Sequence, residues 1–170
     1  AEGAAPPRGR PVLRRDPAFD RAVNVARHAD PRVARVVAFF EALTPSDVKR
    51  ISDFYCDDAR FKDPFNDVQG IAAIEHVFAH MYVALNEPRF VVRDIVAEVN
   101  QCFLTWDFLF RFKRFSPAQE QCVRGGSHIV FDGDGRIALH RDYWDAAEEL
   151  YEKLPAVGAL MRWLKRRANS

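Results

Sequence analysis

Residues 54–70 read Phe-Tyr-Cys-Asp-Asp-Ala-Arg-Phe-Lys-Asp-Pro-Phe-Asn-Asp-Val-Gln-Gly, and within this stretch the chain turns from helix to strand. The pattern predicts a helix ending near Tyr55, a short strand starting at Ala59, and a stiff corner at Asp63-Pro64. Pro64 biases Asp63 towards extended geometry and donates no backbone hydrogen bond, while Phe61 and Phe65 flank the carboxylate two residues to either side. A carboxylate held this way has two readings: a general base in an apolar setting, or a polar turn residue, because Asp-Pro commonly opens turns and helices.

Upstream, Asp30-Pro31 pairs a capping side chain with proline at a first helical position, as does Asp16-Pro17, so two successive helices are expected there. Val33, Val36, Val37, Phe40 and Leu43 recur at helical spacing. Thr44-Pro45-Ser46-Asp47 reads as a cap opening a third helix whose buried face is Val48, Ile51 and Tyr55. Gly70 then precedes a fourth helical pattern, Ile71, Ile74, Phe78, Met81, Tyr82 and Leu85, closed by Pro88.

Downstream the period changes to two. Segments 90–99, 102–114, 121–131 and 136–144 read as successive strands, the last two joined by the hairpin turn Asp132-Gly133-Asp134-Gly135. Helices followed by an antiparallel meander predict an α+β fold, a curved sheet covered on one face by helices around an internal pocket. The expected organisation is a flexible leader over 1–15, a helical extension over 16–30, the main domain over 31–145 and a basic amphipathic tail over 146–170. That tail has four readings: packing on its own domain, a lid over the pocket, packing on a partner subunit, or lying on a membrane surface.

Composition narrows the class. The 170 residues carry a formal net charge of +1, which fits one domain of ordinary size and argues against nucleic acid as a partner. Cys56, Cys102 and Cys122 form no CxxC pair, so neither a disulfide framework nor a thiolate metal site is indicated, and a reducing cytoplasm is the expected compartment. No metal or other cofactor is called for. His76 and His80 stand four apart on a helix, but the apolar stripe places both on its other, solvated face. Gly125-Gly126 lacks the context of a phosphate loop and reads as a bend.

Several motifs in order carry a resemblance. Tyr55-Cys56-Asp57-Asp58-Ala59 leads into Phe61-Lys62-Asp63-Pro64-Phe65, Gly70 precedes a helix, Phe131 to Ile137 spans a hairpin, and Tyr143-Trp144 closes the last strand. Over roughly residues 31–145 this resembles the nuclear-transport-factor-2-like superfamily, in its SnoaL-like and ketosteroid-isomerase-like branch. The resemblance implies a conical fold, a small apolar ligand or substrate and a homodimer. It puts Asp63 on the general base of ketosteroid isomerase, Phe39 and Phe78 where tyrosines are expected, Tyr55 in the place of another tyrosine, and Ser127 near a protonated aspartate. A phenyl ring donates no hydrogen bond, and each lost oxyanion donor costs about a hundredfold or more in rate. Classical ketosteroid isomerase activity is therefore not expected.

If Trp144 lines the pocket, as the resemblance implies, strand alternation brings His140 and Asp142 in with it. On the neighbouring strand Thr105 and Asp107 share one face and Trp106, Phe108 and Phe110 the other. Asp107 then either points to solvent over an aromatic core, or faces the cavity while the aromatics pack on helices or a second subunit; the resemblance favours the cavity by position. The site expected from these residues has Asp63 as base, His140 with Asp142 as acid or orienting pair, and Asp107 as auxiliary carboxylate. Phe39, Tyr55, Phe65, Phe78, Thr105, Ser127 and Trp144 would shape the cavity. Such a set suits an isomerase, cyclase or dehydratase, or an epoxide hydrolase, although the arginine of the epoxide hydrolases falls at Thr105. The alternative is a non-catalytic ligand-binding or dimerising module of the same fold.

Overall fold

A computed structural model describes residues 29–113 and 117–151, together with positions 157, 161, 163, 166 and 167. The leader expected over 1–15, the helix expected from Asp16-Pro17 and most of the amphipathic tail lie outside these residues. Among the described residues, no helix is long and apolar enough to cross a membrane.

Helix α1, Pro31–Glu41, starts where its cap was expected: Asp30 accepts from Arg32 N at 2.9 Å. Its Val33, Val36, Val37 and Phe40 are buried. Pro45–Asp53 is a 3-10 helix rather than an α-helix, and Tyr55 belongs to strand β1, Tyr55–Lys62, so that strand opens four residues before the expected Ala59. After the short strand β2, Asp67–Gln69, Gly70 takes φ 89° and starts helix α2, Ile71–Ala84. Strand β3, Leu85–Glu98, follows directly. Pro88 therefore lies inside a strand, at a register shift between Asn86 and Arg89, on the sheet edge where a missing N–H is tolerated.

Strands β4, Gln101–Phe112, β5, Gln121–Phe131, and β6, Ile137–Tyr143, complete a six-stranded sheet of order β2-β1-β6-β5-β4-β3. The expected meander is present from β3 to β6, but the sheet is mixed: β1 runs parallel to β6, with Phe61 opposite His140 and Lys62 opposite Arg141. Helix α3, Ala146–Glu149, is capped by Asp145. The helices cover the inner face of the curved sheet, and the core is the apolar layer between them.

Candidate active site

Three neighbouring strands set the inner face of the site. Leu104 lies opposite Ser127, and Ser127 opposite Asp142, so Leu104, Trp106, Ser127, His140 and Asp142 all point inward. That phase also carries Phe108, Phe110 and Phe112 inward, where they wall a cavity of about 300 Å³ with Phe61, Phe90 and Trp144. A smaller chamber of about 30 Å³ lies beneath, between Val37, Phe40, Ile129 and His140. Phe78, Phe90, Trp106 and Asp142 border both spaces and form the neck between them.

The neck holds a chain of polar side chains in an aromatic box. Tyr55, fully buried, sits with its hydroxyl 2.6 Å from His140 Nδ1. Burial, then the negative charge of Asp142, pushes the Tyr55 phenol well above its ordinary range, so it keeps its proton and donates to Nδ1. With Nδ1 accepting from Tyr55, the ring's proton sits on Nε2, which lies 2.9 Å from Asp142 Oδ1. Ser127 donates to the same oxygen at 2.5 Å and accepts from Trp106 Nε1 at 2.9 Å. Phe61 and Phe40 stand edge-on to the imidazole with centroids 5.1 and 5.4 Å away. Asp142 Oδ2 has no hydrogen-bond partner among the described residues, and Asp142 lines both spaces.

The glycine pair in β5, expected as a bend, lies instead in regular strand. A Cβ on Gly125 would come within 2.4 Å of Trp106 Cη2, and one on Gly126 within 2.7 Å of Phe103 Cζ on the outer face. The absent side chains let one ring lie flat on each side of the sheet. Without that room Trp106 Nε1 could not reach Ser127.

Asp63 lies at the cavity mouth. Its Oδ1 accepts from the backbone N–H groups of Phe65 and Asn66 at 2.7 and 2.5 Å, and the Asn66 amide donates to both oxygens at 3.0 Å. This is an Asx turn, so the turn reading and a mouth position hold together. Phe65, 53% exposed, stands edge-on to Trp144 at 5.4 Å and forms the lip.

Asp107 and Thr105 require correction. Both point to the outer face, where Asp107 Oδ2 accepts from Arg93 Nε and Nη2 at 3.0 and 2.6 Å and Thr105 bonds Asp94. The physical reason is the aromatic run of β4, which the apolar cavity accommodates and the surface would not. The same phase removes Trp106, Phe108 and Phe110 from any outward aromatic face. Phe39 is also displaced: it stacks on Phe54 at 3.9 Å, and Phe40, one residue on, reaches the inner chamber. Tyr55 stands behind His140 rather than on the cavity wall. His128 points outward to Gln101 at 2.8 Å, while His80 reaches the cavity rim. Among the described residues, no group of three or more His, Cys, Asp or Glu side chains is placed to hold a metal ion.

Sequence reasoning missed Phe40, Phe90, Phe108, Phe110 and Phe112 as cavity residues, Trp106 as the donor to Ser127, and Asn66 as the holder of Asp63. The spacing of the aromatics at alternate positions was the available signal for β4.

A family model described as the SnoaL-like domain matches residues 36–140. Among solved structures, TsrD from Streptomyces laurentii superposes with a TM-score of 0.61 at 19% identity, covering 76% of this chain and 99% of that one. An LEH-like epoxide hydrolase from M. tuberculosis gives 0.59 at 20% identity, covering 76% and 93%. TerC co-crystallized with polyporic acid gives 0.60 at 15% identity, covering 70% and 95%. These likenesses establish the nuclear-transport-factor-2-like cone. No curated protein sequence matches the chain.

Proposed function

The chain belongs to the SnoaL-like domain family, and on that premise we propose that it is an acid–base enzyme of the isomerase, cyclase or dehydratase type acting on a small, largely apolar molecule. The observation that carries this reading is the state of Asp142. One oxygen is fixed by His140 and Ser127, the other has no hydrogen-bond partner among the described residues, and the residue lines an aromatic cavity. A carboxylate in that setting takes a proton from a carbon acid and returns it to a second carbon or to a departing oxygen. His140, oriented by Tyr55, holds the carboxylate in place and can pass a proton to it.

The wall also bears on the choice of reaction. Trp106 Nε1 is engaged by Ser127, and the Asn66 amide by Asp63. Little remains to stabilise a developing enolate, a deficit of about a hundredfold or more per missing donor. The substrate must therefore be acidic by itself, as a 1,3-dicarbonyl or polyketide-like compound is, or lose a good leaving group. This favours cyclase or dehydratase chemistry over isomerisation of a simple ketone.

The test is deuterium exchange from solvent into a series of 1,3-diketones and cyclic enones, followed by NMR. The wild type is expected to accelerate exchange in at least one member, and Asp142→Asn to lower that rate by about a hundredfold to ten-thousandfold. Equal rates in the two proteins would remove Asp142 from the chemistry. No acceleration by the wild type across the series would leave the ligand-binding module as the reading.

A further inference from the structure

Resting on the reading of Asp142 as the proton-transfer group, we propose that Asp63 is a recognition residue. It seats the protonated amine of a substrate beside the paired rings of Phe65 and Trp144 while the reacting carbon lies deeper, against Asp142. The substrate class is thus an amine-bearing carbon acid, with its cation at the mouth.

Asp63 is built to present charge. Its Oδ1 takes three donors, whereas Oδ2 takes only the Asn66 amide among the described residues. The carboxylate is pre-oriented by its turn and retains accepting capacity towards the mouth. Beside it, Phe65 and Trp144 meet edge to face at 5.4 Å, and Phe65 remains half exposed. Aromatic faces carry partial negative charge and attract an ammonium group, most strongly when that group is partly desolvated.

The distribution of charge points the same way. Asp63, Asp142 and the rim residue His80 are the ionisable groups lining the main cavity, and no lysine or arginine lines it among the described residues. Lys62 and Arg141 border a neighbouring cleft that Asp63, Asp142 and Trp144 also line, but there the Lys62 ammonium is held by Asp67 at 2.7 Å and the Arg141 guanidinium lies 4.7 Å over the Tyr143 ring. Carboxylates without a lining cation, in walls of low dielectric, repel anions and attract cations. A metal ion would need more oxygen ligands than this mouth offers. An organic ammonium needs one carboxylate and rings.

Three probes of matched shape separate these possibilities: phenethyltrimethylammonium, its neutral isostere (3,3-dimethylbutyl)benzene, and 3-phenylpropionate. Binding to the full chain is followed by tryptophan fluorescence and titration calorimetry, without turnover. The ammonium probe is expected to bind about tenfold tighter than the neutral one, with the anion weakest and the preference shrinking as salt rises. In Asp63→Asn, whose side-chain carbonyl can still accept the two turn N–H groups, the ammonium preference should fall to within about twofold. Phe65→Leu should reduce it as well, and Asp142→Asn should reduce it less than Asp63→Asn does. Equal or tighter binding of the neutral or anionic probe by the wild type would overturn the proposal. So would loss of the preference in Asp142→Asn with retention in Asp63→Asn, or no saturable binding of any probe at millimolar concentration. Deuterium exchange failing while the ammonium preference holds would instead count against the acid–base reading alone.

Discussion

Tyr55 and His140, 85 residues apart in the chain, share a fully buried hydrogen bond of 2.6 Å that fixes which imidazole nitrogen faces Asp142. Tyr55→Phe removes the only donor to Nδ1 among the described residues and leaves a buried acceptor unsatisfied, at a cost of about 1–3 kcal/mol. Chemical denaturation is expected to register that loss. The 15N spectrum of His140 should at the same time change its tautomer signature, which a merely packing role for Tyr55 would leave alone.

Gly125 and Trp106 make a second coupled pair. In Gly125→Ala the new methyl meets the indole, so the ring must tilt off β5 and release Ser127. Overpacking of this kind costs about 1–3 kcal/mol. The Trp106 fluorescence should shift to the red as water reaches the ring, and exchange activity should fall together with it. Unchanged fluorescence would mean that the strand absorbs the methyl without moving the ring.

Asp107 provides the contrast. It is 8% exposed and engaged by Arg93 on the outer face, away from the cavity. Asp107→Asn is expected to leave the exchange kinetics within about twofold while lowering stability by about 1 kcal/mol, the weight of a charge-assisted bond near a surface. A large loss of activity with intact stability would return Asp107 to the chemistry.

Asp30 is one of the carboxyls, with Asp47 and Asp67, that bear on behaviour in acid. Its hydrogen bond to the Arg32 side chain holds the carboxyl at about 2, below the ordinary 3.8. A carboxyl depressed in the folded state contributes stability above its unfolded value and loses it as pH falls through the folded one. Asp30→Ala is therefore expected to be less stable by about 1 kcal/mol at neutral pH, a cap being lost as well. The difference between variant and wild type should narrow between pH 4 and 2. Melting temperatures taken across that window check it.

How far the residues speak for themselves depends on loop length. The Asp132–Gly135 turn marks the β5–β6 hairpin, and the resemblance at Trp144 made the inward facing of His140 and Asp142 legible. Whether Ser127 or His128 faces in was not, because a bulge exchanges them; the one register shift of this pair lies beyond them, between Val130 and Phe131, so that Ser127 stays inside. The longer link between Phe112 and Gln121 leaves the β4–β5 register open. Alternation alone leaves both faces of β4 open, since a one-residue slip exchanges them, and the resemblance, which favours Asp107 and Thr105 inside by position, points to the wrong one of the two. The helix caps at Asp30 and Thr44 carried local signals, and the four-residue error at β1 arose because Tyr55 falls on the helical period as well as on the strand. Nothing local announces the parallel pairing of β1 with β6, since neither strand sees the other until the intervening chain has folded.

That pairing sets an order of assembly. Phe54 accepts a hydrogen bond from Ile137 N at 2.7 Å, and Phe61 lies opposite His140, so the first long strand waits for the last before its inner edge is filled. On a ribosome, Tyr55 and Asp63 emerge long before His140 and Asp142, and until β6 is released both β1 and β5 present open edges. The polar chain of the site is thus completed only when the sheet is, and a nascent chain halted before Ile137 would hold Tyr55 and Ser127 without the His140 and Asp142 that join them.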